Sequence, residues 1–386
     1  MQAVMLKEGI YWVGAVDWSL RNFHGYTTNA GATYNAYLIV DEKVALIDTV
    51  KAPFAAELLA RVADIIDPSK IDYLISNHVE MDHSGSLPAV LARCPQAEVI
   101  TSAPNGLKGL TLHYGEHAYH AVKSGDSLNL GKRSLTFVQT PMVHWPDNMV
   151  TYCPEEKILF SNDAFGQHYA SGLRFDDQEP LDLILQEAKK YFANIVMPYW
   201  KQANGAVKIV SELPLAMIAP SHGIIWRSHI DDILAAYGDW TSGEPHGEAL
   251  IVFDSMWNST EKIARVIEEA FVAKGTAVRY FDLKTSHISD IIPHVLDAQY
   301  IAVGSPTLNN GMLPTVAAFL CYLKGLSPKG RAAFAFGSYG WGGQSVALME
   351  EELVKCGFSI CLPGIRLQYI PTAQQLAEVA RSIAAL

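Results

Sequence analysis

The sequence predicts a two-domain α/β protein, and three features of the chain support this prediction. Its 386 residues exceed the size at which a single hydrophobic core usually keeps growing. Residues 248–386 show strands and helices in near-regular alternation, which is the pattern of a doubly wound parallel sheet. Before them lies Thr241–Gly247, a short polar segment with glycine and proline that is typical of a linker. We therefore predict domains at residues 1–246 and 247–386.

The first domain is predicted to open with an antiparallel meander, because residues 1–50 alternate apolar, strand-like runs with turns. These runs are Ile10–Val13, Tyr37–Val40 and Val44–Asp48. Similar runs predict strands at 71–76, 98–101, 135–138, 158–160 and 215–219. Helical spacing of apolar residues predicts helices over Pro53–Ile66, Leu181–Ile195 and His229–Tyr237. The many strands indicate a sheet sandwich.

The second domain is predicted from its alternation of elements. The expected strands are Ala249–Phe253, Ala277–Phe281, Tyr300–Gly304 and Ala332–Gly337. The expected helices are Ser259–Ala273, Val316–Leu323, Ser345–Cys356 and Ala373–Leu386. Such a set is complete in about 140 residues and is typical of one open parallel sheet with helices on its faces.

Composition and charge exclude several classes of function. The formal charge of −11 argues against a nucleic-acid or anionic-membrane surface and favours small molecules or proteins as partners. No apolar stretch approaches the roughly 20 residues of a membrane span, and the first residues lack the layout of a signal peptide. We therefore expect a cytoplasmic protein. The five cysteines form no CxxC pair, so neither a disulfide framework nor a cysteine-ligated iron site is indicated.

The densest group of potential metal ligands is His78, Glu80, Asp82 and His83, which fall within six positions. Burying so many ionisable groups without a metal would be costly. If the strand before them continued as extended backbone, the first three side chains would project to the same side. Ser84–Ser86 then predicts the start of a helix. The ligands are therefore expected on a strand-to-helix loop.

Three later residues extend this group, because His144, Asp163 and His222 each follow an apolar run at the point where a strand should give way to a loop. Ligands placed repeatedly at strand ends predict one shared site at an edge of the sandwich. Seven nitrogen and oxygen ligands are too many for one tetrahedral zinc ion and about right for two metals bridged by Asp163. The mixed set suits iron or manganese as well as zinc.

A second site is predicted at three loops that follow strands of the second domain. Phosphate-binding loops place amides and hydroxyls at a helix N-terminus, and glycines and aromatic rings allow a planar ring system to approach. We therefore predict that these loops bind FMN. The expected contacts are Ser255, Met256, Trp257, Asn258, Ser259 and Thr260 in the first loop, Pro306, Thr307, Leu308, Asn309, Asn310 and Gly311 in the second, and Ser338, Tyr339, Gly340 and Trp341 in the third.

The motif His78–His83 resembles the HxHxDH signature of the metallo-β-lactamase superfamily, with Glu80 where the hydrolases carry their second histidine. The extra carboxylate would stabilise the higher oxidation state of a redox metal. Together with the later ligands and the C-terminal module, it makes the whole chain resemble the flavodiiron proteins, or A-type flavoproteins, and among them the rubredoxin:oxygen oxidoreductases. The matching phrases are His24–Tyr26, His144–Asp147, Ser161–Asp163 and Asp254–Trp257.

The resemblance implies a fold, a ligand assignment and a reaction. The fold would be a metallo-β-lactamase-like αββα sandwich followed by a flavodoxin-like sheet. One iron would take His78, Glu80 and His144, the other Asp82, His83 and His222, with Asp163 as the bridge; in some relatives the histidine matching His83 is swung away from the metal. The family reduces dioxygen to water, nitric oxide to nitrous oxide, or both. His24, Trp145 and Tyr199 would lie near the substrate.

The resemblance also implies partners. The family forms a head-to-tail homodimer, or a dimer of such dimers, in which the FMN of one subunit lies beside the diiron centre of the other. Because the sequence has no rubredoxin-type cysteine pairs, we expect electrons from a separate donor, either rubredoxin or, as the runner-up, a reduced deazaflavin coenzyme. Two other functions remain open: a binuclear zinc hydrolase with an appended flavodoxin-like domain, and a non-enzymatic electron carrier or redox sensor.

Overall fold

The computed structural model describes residues 1–328 and 330–386, and the chain divides into two compact units. Met1–Tyr191 and Tyr199–Gly238 form the first unit; Phe192–Pro198 and Asp239–Leu386 form the second. The helix Ile230–Ser242 runs through this division, whereas the sequence predicted its end at Tyr237. The linker is therefore shorter than expected, and the boundary between residues 246 and 247 stays a prediction.

The first unit is built from two main sheets and two short ribbons. Its strands are β1 (Val4–Lys7), β2 (Ile10–Trp12), β3 (Ala15–Asp17), β4 (Asn22–Phe23), β5 (Tyr26–Thr27), β6 (Ala32–Tyr34), β7 (Tyr37–Val40), β8 (Val44–Ile47), β9 (Tyr73–Ser76), β10 (Glu98–Ser102), β11 (Tyr119–Val122), β12 (Ser127–Asn129), β13 (Ser134–Gln139), β14 (Met149–Cys153), β15 (Ile158–Asn162) and β16 (Met217–Pro220). One sheet has the order β1-β2-β7-β8-β9-β10-β11 and the other β12-β13-β14-β15-β16. The ribbons are β3-β6 and β4-β5. The predicted meander is confirmed, because β1, β2, β7 and β8 pair antiparallel.

Helices connect these strands. They are α1 (Ala55–Ile65), α2 (Met81–Ser84), α3 (Leu87–Leu91), α4 (Asn105–Tyr114), α5 (Leu181–Tyr191), α6 (Trp200–Ser211) and α7 (Ile230–Ser242). The helix predicted to reach Ile195 ends at Tyr191, where a π-helical turn over Phe192–Val196 begins. Before α1, Pro53 lies in the 3₁₀ turn Ala52–Phe54, where a fixed φ suits the first turn of a helix.

The core of the first unit lies on both faces of the seven-stranded sheet. Along β7, Tyr37 and Ile39 belong to a cluster that includes Phe137 and Phe160 of the second sheet. Leu38, between them, belongs to a cluster with Leu58 of α1. Successive side chains of a strand point to opposite faces, so one sheet packs against the other on one side and against helices on the other. The predicted sheet sandwich is confirmed.

The second unit contains one parallel sheet. Its strands are β17 (Glu248–Phe253), β18 (Val278–Asp282), β19 (Ala298–Gly304), β20 (Ala332–Tyr339), β21 (Ser359–Ile360) and β22 (Ile365–Gln368), and its helices are α8 (Ser259–Ala273), α9 (Ile288–Ile291), α10 (Pro314–Leu326), α11 (Gln344–Lys355) and α12 (Ala373–Ala384). The strand order is β18-β17-β19-β20, and both β21 and β22 pair with β20. The predicted doubly wound parallel sheet is therefore confirmed, although the two short strands were not predicted.

Candidate metal centre and flavin cavity

The motif His78–His83 leaves the end of β9 and turns sharply. Glu80 is the last residue with extended backbone, and Met81–Ser84 form the short helix α2. The expectation that His78, Glu80 and Asp82 project to one side of a continuous extended segment is therefore wrong. Helical backbone instead turns Asp82 and His83 toward a different part of the site from His78 and Glu80.

The other three ligands come from the second sheet. His144 follows β13, Asp163 follows β15 directly, and His222 lies two residues after β16. All three are buried or nearly so, with only 1% of the Asp163 and His222 surfaces exposed. The structure thus brings the predicted seven residues together at one edge of the sandwich.

The seven side chains form two groups of potential ligands. In the first, His144 Nε2 lies 3.3 Å from Glu80 Oε2, and His78 Nε2 also lies 3.3 Å from that oxygen. In the second group, Asp82 Oδ1 lies 3.3 Å from His83 Nε2, and Asp82 Oδ2 lies 3.2 Å from His222 Nε2.

Asp163 stands between the two groups and offers each a different oxygen. Its Oδ2 lies 3.3 Å from His144 Nε2 and 3.7 Å from His78 Nε2. Its Oδ1 lies 3.0 Å from His83 Nε2 and 3.5 Å from His222 Nε2. A carboxylate in this position can bridge two metal ions.

Several nitrogen and oxygen atoms of the cluster lack hydrogen bonds, as is expected of atoms that bind metal ions. Both carboxylate oxygens of Asp82 and Asp163, and both ring nitrogens of His83, are buried without a hydrogen-bond partner among the described residues. Buried polar atoms normally have partners, and unpaired buried charge is strongly destabilising. The donor set therefore fits two cations held by nitrogen and oxygen atoms.

Charges within the cluster shift its pKa values. Burial by itself lowers the pKa of each imidazole, but attraction to the carboxylates outweighs it and raises the pKa to about 10 for His78 and His83 and to about 9 for His144. Burial raises the pKa of Glu80 and Asp163, yet the facing imidazoles bring both below the ordinary range. The carboxylates are ionised and require positive charge beside them, which protons or metal ions can supply.

Outer groups hold two of the imidazoles. His78 Nδ1 donates to Asp147 Oδ2 at 2.8 Å, and the same oxygen accepts the backbone N–H of Val79 at 2.8 Å. His222 Nδ1 donates to the carbonyl oxygen of Thr33 at 2.6 Å. Such partners fix the tautomer and leave Nε2 free to bind a metal. Neither role was predicted from the sequence, where Asp147 is only part of the matching phrase His144–Asp147 and Thr33 belongs to no motif.

A buried carboxylate, Asp48, contacts three residues that each stand immediately before a ligand in the sequence. Its Oδ1 accepts the backbone N–H of Asn77 at 2.8 Å, and its Oδ2 faces the side chains of Asn77, Asn162 and Ser221 at 3.1, 3.3 and 3.4 Å. These three residues immediately precede His78, Asp163 and His222. Burial raises the pKa of Asp48. This network ties ligand-bearing loops of both sheets together.

A cavity of about 500 Å³ opens onto the first group of ligands. Its lining residues are Asn22, Phe23, His24, Lys51, Glu80, Met81, Asp82, His113, His144 and Trp145. His24 Nε2 lies 3.0 Å from Glu80 Oε1, the carboxylate oxygen that faces away from the other ligands. The Trp145 ring stands edge-on to His78, with centroids 5.1 Å apart. The predicted positions of His24 and Trp145 near the ligands therefore agree with the geometry.

The third residue predicted near the substrate is not in this cavity. Tyr199 lies in a 3₁₀ turn before α6 and is absent from the described residues that line it. Tyr191 and Tyr34 do lie beside a ligand: their buried rings are 5.9 and 6.1 Å from that of His222, and Tyr191 is also 5.0 Å from His168. A position of Tyr199 near the substrate stays a prediction. His168, hydrogen-bonded to the Tyr26 hydroxyl, was also missed, because an isolated histidine gives no sequence signal.

A second cavity of about 500 Å³ lies at the carboxyl ends of the strands of the second unit. Its lining residues are Met256, Trp257, Ser259, Pro306, Thr307, Leu308, Asn309, Ser338, Tyr339, Gly340, Trp341, Tyr369 and Ile370. A smaller adjoining cavity adds Asn310 and Gly342. The three predicted loops therefore meet. Tyr369 and Ile370, which follow β22, were missed because that strand was not predicted.

The remaining predicted flavin contacts, Ser255, Asn258, Thr260 and Gly311, do not line either cavity but belong to the same loops. Asn258 has φ 60° and precedes α8, as expected for an asparagine in place of glycine. Thr260 Oγ1 hydrogen-bonds Ser338 Oγ at 2.9 Å. Leu308 and Gly311 exchange backbone hydrogen bonds of 2.9 and 2.8 Å in a tight turn. Ser255 Oγ is buried without a partner among the described residues, and a phosphate at this helix N-terminus would supply one.

Family models match both units. The model described as ODP family beta lactamase matches residues 32–223, and the flavodoxin model matches residues 251–382. A flavodiiron protein of Giardia intestinalis is 35% identical, with a TM-score of 0.97, over 100% of this chain and 96% of that chain. The chain belongs to the flavodiiron protein family. Its two-domain fold, metallo-β-lactamase-like and then flavodoxin-like, is confirmed.

Other relatives are similar to this chain over nearly its whole length. Rubredoxin oxygen:oxidoreductase of Desulfovibrio gigas is 42% identical, with a TM-score of 0.96, over 100% of this chain and 98% of its own. A nitric oxide reductase of Moorella thermoacetica is 48% identical over 100% of this chain and 98% of its length. A coenzyme F420H(2) oxidase of Methanothermobacter marburgensis is 40% identical over 99% and 98%.

These relatives establish the class of the protein. All three curated names denote oxidoreductases, so the chain is an oxidoreductase of the flavodiiron class, with FMN and a non-heme diiron centre as its cofactors. The zinc hydrolase considered from the sequence is not favoured. None of the described helices is long and apolar enough to span a membrane.

Proposed function

We propose that this chain reduces dioxygen to water, nitric oxide to nitrous oxide, or both, at a diiron centre in its first unit. The observation that carries the proposal is the position of Asp163, whose two oxygens face two separate groups of ligands. Two iron ions and FMN supply the redox chemistry, and together they can hold the four electrons that dioxygen needs. The names of the relatives support both gases as substrates.

The ligands are assigned from the two groups. His78, Glu80 and His144 would hold one iron, and Asp82, His83 and His222 the other, with Asp163 between them. His83 is included because its Nε2 lies within 3.0 Å of Asp163 Oδ1. In this assignment every buried carboxylate oxygen that lacks a hydrogen bond faces a cation, which removes the penalty for burying it.

Residues around the ligands would control their orientation and access to them. Asp147 and the Thr33 carbonyl would hold the Nδ1 atoms of His78 and His222, so that the Nε2 atoms face the metal ions. His24 would hold a proton on Nε2 and share it with Glu80 Oε1 at the cavity mouth. Trp145, 38% exposed, would cover His78 from solvent.

FMN would bind in the cavity of the second unit. The loop before α8 would receive the phosphate, because this loop and the helix N-terminus supply backbone amides and the hydroxyls of Ser255 and Ser259. The planar ring system would lie near Trp257 and Trp341, which are 90% and 92% exposed. Aromatic faces of this size provide stacking area for a flavin.

The first experiment is metal and flavin analysis of the purified protein, followed by anaerobic reduction and separate measurements of oxygen and nitric oxide consumption. We expect about two irons and one FMN per chain and consumption of at least one gas. Zinc in place of iron, with no gas consumed after iron reconstitution, would support the hydrolase. Loaded cofactors without turnover of either gas would support an electron carrier or sensor.

We further propose a separate electron donor and a cytoplasmic location. Rubredoxin is the first choice, supported by the name of the Desulfovibrio gigas relative. A reduced deazaflavin coenzyme is the runner-up, supported by the name of the Methanothermobacter relative. Stopped-flow reduction of the bound flavin by each donor separates them: the true donor reduces the flavin within the time of one turnover, and the other does not.

We also propose a head-to-tail homodimer, alone or paired into a tetramer. The exposed Trp257 and Trp341 beside the flavin cavity support a partner surface there. Sedimentation gives the number of subunits. Mixing FMN-depleted protein with iron-depleted protein tests the arrangement, because subunit exchange restores gas consumption if flavin and iron on different subunits work together. No recovery after demonstrated exchange would contradict it.

A further inference from the structure

A group of two imidazoles and two carboxylates lies at the amino ends of adjacent strands of the second unit, far along the sheet from the flavin loops. Glu248 begins β17, and Asp297 directly precedes β19, its neighbour in the sheet. His246 lies two residues before β17, and His294 lies in the 3₁₀ turn Ile292–Val295. Flavin contacts are at the carboxyl ends of these strands, so this group belongs to neither site described above.

The donor atoms of this group are close together. Ligand atoms of Glu248, His294 and Asp297 lie within 4.8 Å of one another. His246 adds Nδ1, which lies 3.3 Å from Asp297 Oδ1. Glu248, His294 and Asp297 therefore make a three-ligand set of nitrogen and oxygen atoms of the kind that a divalent zinc-like ion accepts, and His246 lies next to one of them.

The surroundings hold these residues in place. His246 Nε2 lies 2.9 Å from Asp239 Oδ1, so an outer carboxylate can fix the tautomer that leaves Nδ1 free as a ligand. The backbone N–H of His246 donates to the carbonyl oxygen of Asp297 at 2.9 Å. Arg331, which is buried, donates to the carbonyl oxygens of Val295 and Leu296 at 3.1 and 2.9 Å. The site is therefore built on fixed backbone.

We propose that Glu248, His294 and Asp297, with His246 beside Asp297, bind one divalent transition-metal ion such as zinc, in addition to the two irons. The ion joins the segment before β17 to the turn before β19, and so stabilises the second unit. This site goes beyond the proposed gas reduction and does not depend on it.

Arg279 competes with a metal ion for Glu248, and this competition limits the affinity of the site for zinc. The Arg279 guanidinium donates to both oxygens of Glu248, at 3.1 and 3.2 Å. Its side chain is 49% exposed, so it can move into solvent when a cation arrives, and the cost is only the loss of an exposed ion pair, which contributes little. Because this ion pair must be given up, the expected affinity for zinc is micromolar, well below that of closed structural zinc sites.

The test uses the holoprotein with iron and FMN bound. Zinc chloride is titrated by equilibrium dialysis, and zinc and iron per chain are counted together. We expect about one additional zinc per chain with iron content unchanged. The double variant His246→Gln with His294→Gln should bind this zinc at least about tenfold more weakly. The control is His117→Gln with His120→Gln, which removes two exposed histidines of the first unit and should bind as the native protein does.

Two further measurements complete the test. Zinc should raise the temperature at which FMN fluorescence reports unfolding of the second unit in the native and control proteins, but not in the double variant. Glu248→Gln should weaken zinc binding while keeping the volume of the side chain. Equal zinc binding by the native protein and the double variant overturns the proposal, and so does an equal loss in the control, which indicates adventitious surface binding only.

Discussion

His78 and His83 are both buried imidazoles of the metal cluster, yet the surrounding protein holds them differently. His78 Nδ1 is fixed by Asp147, which also accepts a backbone N–H, so ring and loop share one anchor. His83 has no hydrogen-bond partner for either ring nitrogen among the described residues. Outer partners orient metal-binding imidazoles and increase affinity. His78 is therefore held in place before a metal binds, whereas the orientation of His83 depends more on the metal itself.

The largest effect is expected from a change of Asp163, which faces both groups of ligands. Asp163→Asn keeps the volume but removes the charge and one bridging oxygen, so both irons should be lost and gas consumption should fall about 100-fold or more. Iron and FMN per chain are measured together, and FMN should be unchanged. Asp182→Asn, on the exposed face of α5, is the control. Retention of both irons by the Asp163 variant would contradict the bridging assignment.

The contribution of the Asp147 anchor to metal affinity is tested by replacing His78 and His83, one at a time, with asparagine. His78→Asn discards an anchored ligand and leaves Asp147 with an unmet charge, whereas His83→Asn discards a ligand without an anchor. After dialysis against a chelator, the His83 variant should keep more iron than the His78 variant, by about tenfold in affinity. Equal losses would mean that the anchor contributes little to metal binding.

Acidification should weaken iron binding to protein that has been depleted of iron with a chelator. The carboxylates raise the pKa of His78 and His83 to about 10, so these rings are protonated at neutral pH and the metal must displace their protons. Each displaced proton changes the affinity about tenfold per pH unit, in favour of binding as pH rises. Titration calorimetry in buffers of different ionisation heat counts the protons. A count of zero at pH 7.5 would refute this expectation.

A smaller effect, on the stability of the first unit, is expected from a change of Asp48, the buried carboxylate that ties ligand-bearing loops of both sheets together. Asp48→Asn replaces one acceptor oxygen with an amide that faces the amide groups of Asn77 and Asn162, so two donors would meet. Leaving buried groups unpaired should lower the free energy of unfolding of the first unit by about 1–3 kcal/mol. Thermal unfolding of the loaded protein measures it. An unchanged midpoint of thermal unfolding would show that Asp48 does not hold the ligand-bearing loops in place.

The smallest effect is expected at the cavity mouth. His24→Gln removes the ring beside Glu80 Oε1 but leaves the oxygen that faces the other ligands. Iron content should be unchanged, and gas consumption should fall less than about tenfold, the value of one hydrogen bond. Loss of iron in this variant would show that His24 holds Glu80 in place rather than acting at the cavity.

Several site residues were accessible from sequence because their signals are local. Four ligands within six positions, and three more at the ends of apolar runs, identify the metal centre without knowledge of the fold. The loop before α8 was predicted for the same reason, because hydroxyl residues between a strand and a helix have a known use. Tyr369 was not found, because it follows the unpredicted short strand β22, whose pairing depends on β20.

The sequence by itself determined the two-domain α/β plan, the identity of the ligands and the loops that form the flavin cavity, because hydrophobic periodicity and residue type are properties of short segments. Only the tertiary structure decided how the ligands divide. The turn into α2 separates Glu80 from Asp82, and Asp163 faces both groups because two sheets meet there. It also decided the anchors: the Thr33 carbonyl that holds His222 is 189 positions away in the chain. Every residue has such a carbonyl, so only packing between distant strands can select one.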